Sequence, residues 1–180
     1  ANKAANATDE GIRKAVISSW AIGGPVVMLR RSVLTGMGGW TEGLRIDDWD
    51  FFLRLVAHDA LGFVDMPVCA YRLHDANLSK TRHLATRIAN LKESRRVAES
   101  RLDWFQGPER LLLKAQAQYI AAKVAHLDRR PLRPALHLLS YVGLRGLSMA
   151  HGHIPRLGAP RPATPSSACL SPLPARRLFP

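Results

Sequence analysis

The chain has 180 residues, of which 47% are hydrophobic, and this is enough to bury one core and to carry an additional helical layer. It contains no apolar run of membrane-spanning length, and because it begins with Ala1 and not with Met, a signal peptide is not expected either. The two cysteines, Cys69 and Cys169, lie far apart in sequence, which argues against a disulfide framework and favours a cytoplasmic location.

The formal net charge of +12 is spread along the whole sequence. Twenty arginines and six lysines carry the positive charge, and they form no basic block with interleaved aromatic residues. Because nucleic-acid sites concentrate basic residues on one face, we do not expect a specific nucleic-acid partner. Weak peripheral contact with acidic headgroups at the inner face of a membrane is favoured over it.

Mixed α/β structure is predicted between residues 17 and 79, where short apolar runs alternate with glycines and prolines. Residues 25–29 form an apolar, partly β-branched run and are predicted to be a buried strand. Ser32 is then expected to cap a short helical turn. Two further extended runs are predicted at residues 63–67 and 68–74.

Helical spacing is clearest in the acidic segment that follows residue 46. Apolar residues occur at i, i+3, i+4 and i+7, and they are Trp49, Phe52, Leu53 and Val56. This spacing predicts an amphipathic helix over residues 48–58 with its apolar face packed inward. On the same helix, Asp50 is expected to pair with Arg54 one turn later.

Residues 80–150 are predicted to be helical. One apolar stripe along a long charged helix is formed by Leu84, Ile88, Leu91, Ala98, Leu102 and Phe105. Pro108 is expected at the first position of a second helix, and Pro131 or Pro134 opens a third. Residues 151–180 contain seven of the twelve prolines and no acidic residue, which is typical of a disordered tail.

The most informative feature is an acidic turn. Asp47, Asp48 and Asp50 follow a glycine-rich segment and stand at the start of the predicted helix. Like charges this close repel one another unless a metal, a cationic partner or a helix N-terminus offsets them. Asp47 and Asp48 can therefore cap the helix or take part in chemistry, and the two roles are compatible.

Several motifs occur in a distinctive order. They are Gly23-Gly24, Arg30-Arg31, Gly38-Gly39-Trp40, Asp47-Asp48-Trp49-Asp50, Arg54 and Tyr71-Arg72-Leu73-His74. In this order the stretch between residues 18 and 79 resembles the C-terminal half of glycosyltransferase family 2. The resemblance implies a GT-A type α/β fold and transfer of a sugar from a nucleotide-sugar donor to an acceptor hydroxyl, with inversion and with a divalent metal, Mn or Mg. It also implies a glycan, lipid or protein acceptor, as in the synthesis of cell-surface polysaccharides or glycolipids.

The resemblance assigns the family's Glu-Asp pair to Asp47 and Asp48 as the catalytic residues. Asp48 is then the general base, which takes the proton of the acceptor hydroxyl as the oxygen attacks the anomeric carbon. A positioned base of this kind is worth on the order of 10²–10⁴ in rate. Asp47 stands where the family has Glu, so the charge is kept on a side chain that is shorter by one methylene.

Four further residues are candidate substrate contacts and one is a candidate metal ligand. Gly23 and Gly24 match a loop beside the donor, where the backbone can approach a ligand, although a plain tight turn explains them equally well. Trp49 can face an acceptor sugar, but its place on the apolar stripe favours core packing. Arg72 can pair with the donor diphosphate or with a carboxylate of the fold. His74 matches a histidine that completes the metal or diphosphate site in similar enzymes.

The family's nucleotide-binding half, with its Asp-x-Asp metal motif, is not found before Trp20. Residues 1–79 are therefore interpreted as the C-terminal half of a glycosyltransferase catalytic domain, residues 80–150 as a helical extension and residues 151–180 as a Pro/Arg-rich tail. We expect this incomplete enzyme to bind nucleotide sugar weakly or not at all on its own. The alternative is a non-catalytic basic module for nucleic acid or anionic membrane, in which the acids only cap a helix.

Overall fold

The computed structural model describes residues 8–19, 27–62, 83–130 and 132–151. Helices dominate this part of the chain. In chain order they are α1 (Asp9–Ser19), α2 (Arg31–Gly36), α3 (Asp47–Ala57), α4 (Leu84–Ser100), a 3-10 turn (Leu102–Trp104), α5 (Gly107–Leu127) and α6 (Arg133–His151).

None of the described residues lies in a β-strand, so the expected α/β fold of GT-A type is wrong for this part of the chain. The predicted strand at residues 25–29 shows why. Its described residues, 27–29, have no regular secondary structure, and Met28 is 98% exposed. Val27 and Leu29 lie against a core that helices supply, and a short apolar run cannot by itself distinguish a strand from such an extended segment.

Two other local predictions in this zone have different outcomes. Ser32 does not cap α2, because the helix already begins at Arg31 and the capping position is occupied by Arg30. The extended runs predicted at residues 63–67 and 68–74 lie outside the described residues.

The helix predicted over residues 48–58 is confirmed, since α3 spans Asp47–Ala57. The four stripe residues named above are buried, and so are Phe51 and Leu55, which the spacing places off that stripe. A helix that is buried on all sides lies inside a core and not on its surface. The core forms around α3 from side chains of α1, α4 and α5.

Helix α1 packs against both α3 and α5. The indole N–H of Trp49 donates to the backbone carbonyl of Val16 at 2.9 Å inside the core. At the edge of the same contact, Arg13 makes a two-point hydrogen bond to Glu109, with N–O distances of 2.8 and 3.0 Å, and also donates to the carbonyl of Val56 at 2.5 Å. These contacts set the position of α3 relative to α5.

The three helices predicted between residues 80 and 150 are present, but the first is shorter than expected: α4 ends at Ser100, Leu102 lies in the 3-10 turn and Phe105 is extended. Pro108 stands in the first turn of α5 and Pro134 in the first turn of α6, where the missing proline N–H costs no hydrogen bond. Helix α5 packs against α1, α4 and α6, whereas Leu84 at the start of α4 is exposed. None of the described helices combines the length and the apolar content needed to cross a bilayer.

Candidate functional site

The acidic turn begins with a loop between α2 and α3 that depends on glycine. Gly38 and Gly39 have φ angles of +74° and +69°, which side chains other than glycine rarely adopt. Two consecutive residues of this kind reverse the chain after α2 and bring Trp40 and Thr41 beside the first turn of α3. The local backbone conformation therefore explains why the sequence motif contains two glycines.

Asp50 is the buried carboxylate of this site, with only 1% of its surface exposed. Its Oδ1 accepts a hydrogen bond from Nε of Arg101 at 2.7 Å, and its Oδ2 accepts one from the hydroxyl of Thr41, also at 2.7 Å. Nε of Arg54 lies 3.3 Å from Oδ2, which is the ion pair that the sequence spacing predicts. Two guanidinium groups and one hydroxyl thus surround Asp50.

Arg54 connects this carboxylate with the glycine loop. Its guanidinium donates to the backbone carbonyl of Met37 at 2.7 Å and to that of Gly39. Burial lowers the pKa of the Arg54 guanidinium, and the charge of Arg101 adds to this effect while the charge of Asp50 opposes it. Arg54 therefore fixes the loop at a desolvation cost that Asp50 offsets.

Asp47 and Asp48 lie in the same turn but in different surroundings. Oδ1 of Asp47 accepts the backbone N–H of Asp48 at 2.9 Å, and Oδ1 of Asp48 accepts the N–H of Trp49 at 2.8 Å. Both carboxylates thus accept hydrogen bonds from free N–H groups of the first helical turn, although the cap position itself is occupied by Ile46, which makes no side-chain capping bond. Among the residues that the structure describes, neither forms an ion pair.

Asp48 differs from a surface carboxylate in its proton affinity. Partial burial raises the pKa of Asp48; the hydrogen bond from Trp49 lowers it, and the charge of Asp47 raises it. The rise prevails, so the protonated form is favoured more than in water. A carboxylate with a raised pKa and no cationic partner among the described residues is suited to accept a proton.

Trp40 is an exposed aromatic residue at this site. Its ring stacks on that of Phe51, with a centroid distance of 4.5 Å and an angle of 16° between the ring planes, and 43% of the residue is exposed. Phe51 follows Asp48 by three residues, so the two lie on neighbouring positions of α3. From sequence, Trp40 can either face an acceptor sugar or pack in the core, and the exposure of its ring could not be predicted.

Of the other predicted site residues, only Trp49 lies in the described ranges. Trp49 is 2% exposed and its indole N–H is already bonded, so contact with a substrate would require α3 to move. Gly23, Gly24, Arg72 and His74 lie outside the described residues, and their roles stay predictions.

A metal centre finds no support in the described ranges. No group of three or more His, Cys, Asp or Glu side chains in them is placed to hold a metal ion. The predicted Mn or Mg, with His74 as a ligand, therefore stays a prediction. Comparison of the chain with protein families, with curated proteins and with solved structures finds no match.

Proposed function

We propose that this chain carries the acceptor side of a glycosyltransferase active site, in which Asp48 is the general base. The observation that carries the proposal is the contrast between two carboxylates of one turn. Asp50 is buried between Arg54 and Arg101, whereas Asp48 is only partly buried, has no ion-pair partner among the described residues and has a raised pKa. A structural carboxylate is expected to look like Asp50, and a base is expected to look like Asp48.

The proposed step uses Asp48 as proton acceptor. The acceptor hydroxyl gives its proton to the carboxylate as its oxygen forms the new bond to the anomeric carbon. The bond between that carbon and the diphosphate oxygen breaks, and the nucleoside diphosphate leaves with the bonding electrons. Attack on the face opposite to the leaving group inverts the anomeric centre. The N–H of Trp49, which bonds one oxygen of Asp48, orients the carboxylate.

Trp40 is proposed to bind the acceptor sugar. Exposed aromatic rings are common in ligand sites, and this ring is held rigidly by its stack on Phe51. The loop that carries it is anchored by Arg54 and, through Thr41, by Asp50. Asp47 is proposed to support the negative potential beside the base, since its charge raises the proton affinity of Asp48.

The proposal rests on two kinds of support. One is the order of sequence motifs that resembles glycosyltransferase family 2, and the other is the arrangement of Asp48, Asp50 and Trp40. The helical architecture of the described residues does not fit the α/β fold of that family, so the proposal does not rest on the fold.

The test is a transfer assay on the longest polypeptide that the gene encodes. UDP-, GDP- and dTDP-sugars are offered with Mn²⁺ or Mg²⁺ and with pooled glycan and lipid acceptors, and release of nucleoside diphosphate is measured beside the mass of the product. We expect release that depends on an acceptor and a product heavier by one sugar. A folded protein that transfers no sugar from any of these donors would contradict the proposal.

A second experiment concerns the 180-residue chain alone. No Asp-x-Asp motif precedes Trp20, so calorimetric titration with the same nucleotide sugars and Mn²⁺ should show weak binding or none. Tight, metal-dependent binding would mean that the donor site is built from this chain and that the assignment of the acceptor side is wrong.

A further inference from the structure

Helix α6 packs through one face against α5. Ring nitrogen Nδ1 of His137 lies 2.8 Å from Oε1 of Gln118, and the hydroxyl of Ser148 donates to the carbonyl of Pro108 at 2.7 Å. These two polar groups of α6 are thus satisfied inside the helix pair. Helices α5 and α6 run antiparallel and form one hairpin.

The opposite face of α6 is apolar and exposed. Its large side chains are Leu136 (63% exposed), Leu139 (70%) and Val142 (64%), with Leu132 (76%) just before the helix. Soluble proteins seldom leave a continuous apolar stripe of this size in water. We therefore expect this face to be covered by a binding partner or by a lipid surface.

The charge around that face is of one sign. Residues 129–151, which include α6, contain four arginines (Arg129, Arg130, Arg133 and Arg145) and no Asp or Glu. In the hairpin, the two acids are already engaged, Glu109 with Arg13 and Asp128 with Arg130. The first turn of α6 contains no acid, although a helix N-terminus favours negative charge. An anionic occupant would complement this surface.

We infer that α6 lies in the plane of an anionic lipid surface, with its leucine face in the boundary between headgroups and acyl chains. A helix with leucines on one side and with arginines at its start, here Arg129, Arg130 and Arg133, has the composition of an interfacial helix. Arginine side chains can bury their stems and still reach lipid phosphates. Each basic residue near such a surface adds to the attraction.

Two other occupants fit the same surface less well. A second copy paired through α6 would bring arginines against arginines, because α6 contains no acid to meet them. A nucleic acid would be attracted by the arginines, but it would leave the leucine face in water. A lipid surface accounts for both features, because its anionic headgroups attract the arginines and its acyl chains cover the leucines.

The test measures binding of the 180-residue chain to vesicles by flotation. The vesicles contain phosphatidylcholine alone or phosphatidylcholine mixed with phosphatidylglycerol. We expect binding only to the mixed vesicles.

The double substitution Leu136→Ser and Leu139→Ser should weaken binding to the mixed vesicles roughly 10-fold or more, because two exposed leucines no longer enter the apolar boundary. The matched control is Leu84→Ser, which changes an exposed leucine of α4 outside the hairpin and should leave binding unchanged.

A second variant tests the charge without touching the apolar face. Arg129→Gln with Arg133→Gln should weaken binding to the mixed vesicles roughly 10-fold, and added salt should weaken binding of the original chain. Equal binding to both kinds of vesicle would overturn the inference. So would a dimer in sedimentation equilibrium that the leucine variant dissociates, or salt-sensitive binding to duplex DNA or RNA that the leucine variant leaves unchanged.

Discussion

Helices α3 and α6 are both amphipathic in sequence, but the structure covers them very differently. Helix α3 is buried on all sides, and its inward charges meet specific partners: Asp50 is held by Arg54 and Arg101. Helix α6 packs mainly on α5 and leaves its leucines in water. The comparison indicates that α3 is fixed by the fold itself, whereas the outer face of α6 is available to an external surface.

The largest expected effect comes from breaking the charge cluster in α3. Asp50→Asn removes the only carboxylate that the described contacts place between Arg54 and Arg101, and it leaves two guanidinium groups close together and largely buried. We expect a loss of about 3–5 kcal/mol in the free energy of unfolding, measured by urea denaturation.

The control is Asp103→Asn, because Asp103 is an exposed carboxylate paired with Arg110 on the surface. Its cost should be at most about 1 kcal/mol. If Asp50→Asn costs no more than this control, the charge cluster is not what holds α3 and its loop.

A matched pair of leucines compares the two helices directly. Leu53→Ala in α3 removes a fully buried side chain and should cost about 2–5 kcal/mol. Leu139→Ala in α6 removes an exposed side chain and should change stability by less than about 0.5 kcal/mol. Similar losses for the two variants in thermal or urea unfolding would mean that the outer face of α6 is covered within the chain.

A smaller effect is expected at Trp40. Trp40→Ala removes the stack on Phe51 and should cost about 1 kcal/mol, whereas Trp40→Phe should keep most of the stability because an aromatic ring still covers Phe51. Urea unfolding measures both variants. Equal losses for Ala and Phe would show that the indole makes a specific contact beyond the stack.

The smallest effect on stability is predicted for Asp48→Asn. It is the only one of these substitutions that is expected to stabilise the fold. Because its pKa is raised in the folded chain, the folded state binds the proton more tightly than the unfolded state does. The tighter proton binding stabilises the folded state fully at pH values below the pKa of Asp48 in the unfolded chain. This stabilisation is lost as the pH rises through the pKa of Asp48 in the folded chain. At neutral pH the charged carboxylate is therefore a cost that Asp48→Asn removes.

The melting temperature of Asp48→Asn, followed against pH, checks this sign. The variant should melt slightly above the original chain near neutral pH, and the difference should shrink as the pH falls into the range where Asp48 is protonated. A variant that is less stable at neutral pH would show that the charge of Asp48 serves the helix N-terminus more than it costs.

Sequence patterns correctly predicted those features of the fold that depend only on residues close together in the chain. The spacing of apolar residues predicted α3, and the i, i+4 spacing predicted the contact between Asp50 and Arg54, because both are properties of one helix. The contact with Arg101 could not be predicted, since it joins residues 51 positions apart in sequence. Burial of Phe51 depends in the same way on Trp40, which belongs to another part of the chain.

The incorrect prediction has an equally physical cause. Val27 and Leu29 lie against the core and Met28 points to solvent, which is the alternation of a strand, but no strand lies beside it among the described residues. A run of five residues cannot specify whether another strand pairs with it. The leucines of α6 show the same limit, because their sequence spacing indicates a helix but not which face a partner covers.

The most direct measurement of the central claim is the transfer rate of Asp48→Asn, determined on the longest polypeptide that the gene encodes and corrected for the folded fraction. If Asp48 is the base and Asp50 the structural acid, transfer should fall by a factor on the order of 10²–10⁴ while the fold is kept, and Asp103→Asn should transfer at the original rate. Full transfer activity in a folded Asp48→Asn protein would contradict this account.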